Sequence, residues 1–258
     1  MITKEIQELI LNGVVLINDA YNNKYRPTTL TYALNDKMGA ILLGGKEFNT
    51  AIDIPIRGTE LTNINDILTD IEGIPLEYEL FPNQPICPLV KSTYQVHKGG
   101  YDRYKLIADD QFFKTLIEIM KSTSVDTVNL YGHSMGCWPA TFLTMEHKFL
   151  DTLYTLDITK LNVVLYAPPN IGNEEFAELA KTLIDQAYSQ IGDKGEQKLQ
   201  ITVYSIASTH DLVPDLPINF VQAFHLTKIP FDVSEFDELE NHQIMNFLPA
   251  LTKYFSTL

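Results

Sequence analysis

The sequence predicts a mixed α/β fold, with a mostly parallel central sheet and helices on both faces. Three observations carry that expectation. Short runs such as Asn162-Val163-Val164-Leu165-Tyr166-Ala167 are continuously apolar, as strands buried on both faces must be. These runs alternate with longer segments of helical period. A Gly-x-Ser-x-Gly pattern, Gly132-His133-Ser134-Met135-Gly136, lies between strand-like Val125 to Tyr131 and helix-like Trp138 to Phe149. The 258 residues can bury a sizeable core, and no repeat, low-complexity tract or linker divides them. Residues 1–258 are therefore expected to form one domain.

Each element can be justified in order. Ile6, Leu9, Ile10, Val14, Ile17 and Tyr21 predict a helix over residues 3–21 with one apolar stripe. Met38 to Leu43 and Asn49 to Ile56 read as paired strands joined at Gly44-Gly45-Lys46. Gly58, just past the second strand, allows a turn whose backbone N–H groups face a pocket. That loop is either half of an oxyanion hole or an ordinary polar turn. Leu61 to Ile71 reads as a short helix. Residues 72–90 gather Gly73, Pro75, Pro82, Pro85 and Pro88 among apolar side chains. Such a segment is either a packed surface loop or, with the residues from 60 onward, a lid over a lipophilic cleft.

A helix is expected from about Asp102 to Ser122, buried through Tyr104, Ile107, Phe112, Phe113, Leu116, Ile117 and Met120. Asn173 is placed to cap a helix running through Phe176, Leu179, Leu183 and Ala187. Ile191 to Gln200 reads as a charged loop, Gln200 to Ala207 as a strand, and Val221 to Leu226 as the last strand. An acidic loop, Asp232 to Glu240, then precedes a C-terminal helix through Phe247, Leu251 and Phe255.

Composition narrows the partners. Net charge is −14, from 19 basic and 33 acidic residues, and no basic stretch could neutralise phosphates, so nucleic acid is not an expected partner. The same charge disfavours anionic lipid surfaces and permits transient contact with neutral ones. Two cysteines, Cys87 and Cys137, make no disulfide framework and point to a reducing compartment. No apolar run is long enough to span a bilayer, and the N-terminus is amphipathic and acidic, unlike a signal peptide. The expected location is cytoplasmic, and no cofactor or metal ion enters the reading.

The chemistry centres on Ser134. A nucleophile elbow needs a serine on a tight strand-to-helix turn, with flanking glycines that let strand and helix pass closely. The alternative is a Gly-rich turn in which Ser134 merely caps a helix. Ligands of parallel sheets bind at the carboxyl ends of the strands. Ser134, Asp211 and His242 all fall there, in the chain order Ser, Asp, His. In these roles Ser134 attacks an acyl carbonyl, His242 moves the proton and Asp211 holds the imidazole. His210 is an alternative base, but as Asp211's neighbour on extended chain it would point the other way. Asp215 is the alternative acid. His97 and His225 read as structural, and the glutamates of residues 235–240 as a solvated face.

At these residues the chain resembles the class 3 (fungal-type) lipases of the α/β-hydrolase superfamily. Five ordered blocks within roughly residues 40–250 carry the resemblance. Ile56-Arg57-Gly58-Thr59 is similar to that family's oxyanion loop, and Val96-His97-Lys98-Gly99-Gly100 to its histidine block. Tyr131 to Gly136 is similar to its elbow, Tyr166 to Asn173 to its Phe-Gly-x-Pro-Arg-x-Gly-Asn block, and Asp211 to Pro217 to its Asp-Pro-Val-Pro-x-Leu-Pro block. The resemblance implies an α/β-hydrolase fold and a triad of Ser134, Asp211 and His242. It implies oxyanion donors at the N–H groups of Thr59 and Met135, and a lid over residues 60–90. The implied activity is a carboxylic ester hydrolase, a lipase or esterase on acylglycerols. A phospholipase or acyltransferase with the same triad, or a non-catalytic interaction protein on the same fold, are the alternatives. Cys137, Trp138, Pro139, Gly100 and Pro168 depart from the family pattern and would reshape the acyl pocket.

Overall fold

The computed structural model describes residues 2–22, 31–32, 41–42, 51–58, 73–78, 94–185, 188–192, 195–231 and 238–257. Helix α1 (Lys4–Tyr21) forms as its period requires, with Ile10, Val14, Ile17 and Ala20 buried. Thr3 caps it, accepting from the Ile6 N–H at 3.4 Å. Gly13 lets the helix press onto the sheet, because a Cβ there would lie 2.4 Å from both the Tyr131 ring and the Tyr166 hydroxyl.

Strands β1 (Thr31–Tyr32), β2 (Ile41–Leu42) and β3 (Ile52–Ile56) are joined by antiparallel pairing, with Ile41 opposite Ile56. The expected strand pair is therefore present; its Gly44-Gly45-Lys46 turn lies outside the described residues. So do the helix expected over Leu61 to Ile71 and most of the segment 60–90. The described part of that segment, residues 73–78, contains strand β4 (Pro75–Tyr78), paired antiparallel with β5 (Tyr94–His97) in a separate two-stranded sheet.

The helix expected from Asp102 to Ser122 is two helices, α2 (Lys98–Ile107) and α3 (Asp110–Ser122). Asp109 divides them. Its carboxylate accepts from the Phe112 N–H at 2.7 Å, a side-chain cap that starts a new helix. Strand β6 (Thr127–His133) leads into α4 (Cys137–Met145), every residue of which is buried. The helix expected to run to Phe149 stops at Met145, because Glu146 takes an extended conformation; α5 (His147–Thr155) follows. Strand β7 (Lys160–Tyr166) leads to α6 (Glu174–Asp185), which Asn173 caps through the Phe176 N–H at 3.1 Å.

Two expectations fail next. The described residues of 191–200 are strand rather than loop: β8 (Tyr188–Gly192) pairs antiparallel with β9 (Gly195–Ser208), and residues 193–194 lie outside the described residues. Backbone pairing of β8 with β9 extends the strand back into its polar half, where side-chain hydrophobicity gives no signal. The last strand, β10, is Leu226–Ile229 rather than Val221 to Leu226. Val221 instead makes an isolated bridge to Gly172. His225 thus lies outside any strand and is exposed. Of the expected acidic loop, residues 238–240 belong to a short helix, α7 (Glu238–His242), and Glu240 is exposed. The chain then ends in α8 (Ile244–Phe255).

The sheet order is β1-β2-β3-β6-β7-β9-β10. The run from β3 to β10 is parallel, and its helices cover both faces. Register explains the continuous apolar runs. Leu130 lies opposite Val163, and both point into the layer containing Phe112, Phe142 and Phe176. The next residues, Tyr131 and Val164, point into the layer of α1 and α8, with Ile17 and Phe247. One polar row crosses the sheet, with Asp53, Asn129, Asn162 and Thr202 in register. Asp53 Oδ1 accepts from Asn129 Nδ2 at 2.9 Å and from the Tyr131 hydroxyl at 3.1 Å. Asn129 Oδ1 accepts from Asn162 Nδ2 at 2.9 Å.

Candidate active site

The elbow is built from close approaches. Ser134 stands at the end of β6 with φ 53°, a left-handed backbone that costs an L-residue about 1–2 kcal/mol. A Cβ on Gly132 would lie 2.8 Å from Cys137 Cα, and one on Gly136 would lie 2.4 Å from the Ile56 carbonyl oxygen. Both positions must be glycine for strand, turn and helix to cross. Ser134 to Gly136 form a 3-10 turn that runs into α4, so the helix N-terminus faces the serine.

Two other segments, the turn after β9 and helix α7, bring partners to Ser134. His242, at the end of α7, has Nε2 2.8 Å from Ser134 Oγ and Nδ1 2.9 Å from Asp211 Oδ2. The carboxylate only accepts, so Nδ1 carries the proton and Nε2 is left to accept from the serine hydroxyl. Asp211 Oδ1 accepts from the Val213 N–H at 3.0 Å, so both carboxylate oxygens are engaged. All of Ser134, Asp211 and His242 are buried. The fully buried Asn241 accepts from the Ser208 hydroxyl at 2.8 Å, tying α7 to the end of β9 beside the histidine.

Around this chain lies a second set of hydrogen bonds. His133 packs its ring 5.1 Å from the His242 ring. Its Nε2 is 2.9 Å from the His242 carbonyl oxygen and its Nδ1 is 2.8 Å from the Tyr21 hydroxyl. The Tyr21 oxygen in turn accepts from the Gly58 N–H at 2.8 Å. Burial, reinforced by neighbouring His242, holds His133 well below the ordinary imidazole range, so it stays neutral. Burial also pushes the Tyr21 hydroxyl far up. The Cys137 thiol, buried and donating to the Tyr166 carbonyl, is raised by burial too and stays protonated.

The remaining candidates fall elsewhere. His97 caps α2, accepting from the Gly100 N–H at 3.0 Å, and stacks on Trp138 with ring centroids 4.2 Å apart. That is the structural role expected of it. Asp215 is exposed and engaged by Lys228 Nζ at 3.0 Å. His210 is half-buried beside Asp211, with its N–H donating to Ser208 Oγ at 3.3 Å. Met135 directly follows the serine in the 3-10 turn, whereas Thr59 lies outside the described residues. Two departures from the family pattern compensate one another. A Cβ at Gly100 would lie 2.8 Å from the Trp138 indole, so the tryptophan fills the space that the glycine vacates. The indole N–H donates to the Asn170 carbonyl at 3.1 Å.

The family model for lipase (class 3) matches residues 54–221. The chain belongs to the class 3 lipases. A search of curated protein sequences returned no match. Solved structures of lipases share its fold at low identity. A Rhizomucor miehei lipase propeptide complex carrying a two-residue deletion is 19% identical over 88% of this chain and 68% of that chain, with TM-score 0.59. Yarrowia lipolytica Lip2 lipase is 18% identical over 90% and 81%, with TM-score 0.61. A triacylglycerol lipase described by a serine protease triad is 20% identical over 84% and 78%, with TM-score 0.57. As a class 3 lipase the protein is a carboxylic ester hydrolase on an α/β-hydrolase fold. Two features of this lipase's site lie outside the family match: Tyr21 before it and His242 after it. Sequence reading assigned Tyr21 to an apolar stripe. Its partner His133 is 112 positions away, and nothing local announces the pairing.

Proposed function

We propose that this lipase cleaves neutral acylglycerol esters through an acyl-enzyme on Ser134. The observation that carries the reading is the buried hydrogen-bonded line from Ser134 Oγ through His242 to Asp211. Ser134 Oγ attacks the ester carbonyl carbon as His242 Nε2 takes its proton. The oxyanion meets the N–H groups of Met135 and Thr59. The tetrahedral intermediate collapses, and His242 returns the proton to the departing alcohol. Water, deprotonated by the same imidazole, then attacks the acyl-enzyme and releases the carboxylic acid. Asp211 fixes the imidazole tautomer and stabilises its protonated form.

Exposed apolar side chains support contact with a neutral lipid interface. Leu212 follows Asp211, Met245 follows His242 by three positions, and Ile218 is almost fully exposed. Ile74, at the foot of β4, is exposed as well, and a Cβ on its neighbour Gly73 would lie 2.8 Å from the Asn219 side chain and 2.9 Å from Pro217. The net charge of −14 favours uncharged surfaces over anionic ones. Residues 60–90 are proposed as the cover of the acyl groove. Among the described residues no helix is long and apolar enough to cross a membrane. The cysteine content supports a reducing, cytoplasmic setting, which fractionation of cells would check.

A fluorescent fluorophosphonate tests the reading. It should label the wild type and not Ser134→Ala. The same substitution should lower turnover of an emulsified acylglycerol by about 10⁴ or more while the thermal midpoint hardly moves. Undiminished turnover would remove Ser134 from the mechanism.

A further inference from the structure

We propose that Tyr21 is a positioning residue for this site. Its hydroxyl, acting through His133, couples the backbone at Gly58 to the backbone of His242. The inference rests on the ester-hydrolase reading above and adds to it a residue from α1, before the family match begins.

The hydrogen bonds admit one direction of donation. The His242 carbonyl oxygen can only accept, so His133 Nε2 carries a proton. His133 is neutral, so its Nδ1 is an acceptor and the Tyr21 hydroxyl must donate to it. The tyrosine oxygen then takes the Gly58 N–H. Four buried polar groups are satisfied by one arrangement, and reversing any one bond would leave another unmade. The line is also geometrically tight. A Cβ on Gly58 would lie 2.6 Å from the Tyr21 oxygen and 2.9 Å from Ser134 Cβ. The backbone at Gly58 is therefore held against both tyrosine and serine. Arg57 adds a guanidinium 5.8 Å from the centre of the tyrosine ring.

The functional consequence follows from what the two ends do. Gly58 immediately precedes Thr59, a proposed oxyanion donor, and His242 is the proposed base. Fluctuations of either backbone change the distance between the developing oxyanion, the serine and the imidazole. A side-chain relay linking the two backbones limits those fluctuations without touching substrate. Its neutrality matters as well, since a cation at His133 would oppose protonation of the imidazole 5.1 Å away.

The test compares Tyr21→Phe, His133→Gln, His133→Leu and the Phe/Gln double variant. Reaction rates are measured on a soluble short-chain nitrophenyl ester and normalised to sites titrated by fluorophosphonate. Tyr21→Phe should lower kcat by about 10- to 100-fold, the scale of small misplacements, with KM changed less than twofold. His133→Gln, whose amide can still donate to the His242 carbonyl, should retain more activity than His133→Leu. The double variant should lose less than the product of the single losses. ¹⁵N NMR of labelled histidine should show His133 neutral and protonated at Nε2 from pH 5 to 8. Kcat within twofold of wild type in Tyr21→Phe, equal loss in Gln and Leu, or a His133 protonated at Nδ1 would each overturn the proposal. Should the wild type neither label nor turn over ester, the hydrolase reading fails; the NMR tautomer still decides whether the relay exists.

Discussion

His133 should make the fold more acid-labile, by an amount that linkage bounds. Burial and the neighbouring His242 hold the folded ring well below its ordinary range; the bond to the His242 carbonyl opposes them more weakly. In the unfolded chain the same imidazole titrates near pH 6.5. Below that pH the unfolded state binds a proton that the folded state refuses, so stability falls as pH falls. The slope for one such group is at most about 1.4 kcal/mol per pH unit, which sets a ceiling of roughly 2 kcal/mol between pH 6.5 and 5. Domains are typically stable by about 5–15 kcal/mol, so a loss near that ceiling would be a large share. Other groups titrate in the same window, and comparison with His133→Gln isolates this one. Glutamine takes up no proton and keeps a donor for the His242 carbonyl. Urea unfolding at pH 8, 6.5 and 5 would measure both proteins. At pH 8 the variant should be the less stable, having lost the shape of the native ring. By pH 5 the gap should narrow or reverse, by up to about 2 kcal/mol. A gap that stays constant across the three pH values would refute the reasoning.

Three further outcomes are expected. Burial raises the Asp53 carboxyl above its ordinary range despite its bonds to Asn129 and Tyr131, so the folded state keeps a proton that the unfolded state releases, and stability falls as pH rises through that window. Asp53→Asn should therefore gain on the wild type at pH 7 relative to pH 4 in thermal melts; an equal offset at both would count against a desolvated carboxylate. Gly58→Ala must move Tyr21, His133 or Ser134, given contacts of 2.6–2.9 Å, and should lower ester turnover by more than 10-fold while the protein still folds. Leu212→Asp with Met245→Asp should weaken activity on an emulsion while leaving a soluble short-chain ester within twofold, as assayed on both substrates; equal losses on both would argue against an interfacial role.

The parts of the fold legible in the sequence were those with an unambiguous period or cap. The α1 stripe, the β7 run and the Asn173 cap are local signals, and each forms where it was expected. The failures share a physical cause. Asp109 and Glu146 interrupt helices whose apolar period continues past them, so the pattern runs on while the backbone breaks. The β8–β9 pair is held by backbone pairing among polar residues, and composition is silent about that. Val221 is apolar but bridges only Gly172, while the less apolar Leu226–Ile229 follows β9 into the sheet.

The site divides in the same way. Ser134, Asp211 and His242 could be singled out as candidates because Ser134 and Asp211 each follow a strand and His242 completes the chain order Ser, Asp, His; the fold brings the three within hydrogen-bond distance, with His242 at the end of α7. Tyr21 and Asn241 could not, because their hydrogen-bond partners are other protein groups far away along the chain. Asn241 ties α7 to Ser208, and Tyr21 ties Gly58 to His133. Supporting groups of this kind carry no motif, since any side chain that offers a donor and an acceptor at the right place would serve. The Gly100 and Trp138 pair makes the same point from the other side. Each departs from the family pattern when read alone, yet the indole occupies the space above the glycine and stacks on His97. A pair related through space rather than along the chain reads as two anomalies in sequence and as one packing solution in the fold. What sequence spacing conveys about this lipase is therefore which residues are candidates for the chemistry, whereas the contacts that hold those residues in place join distant segments.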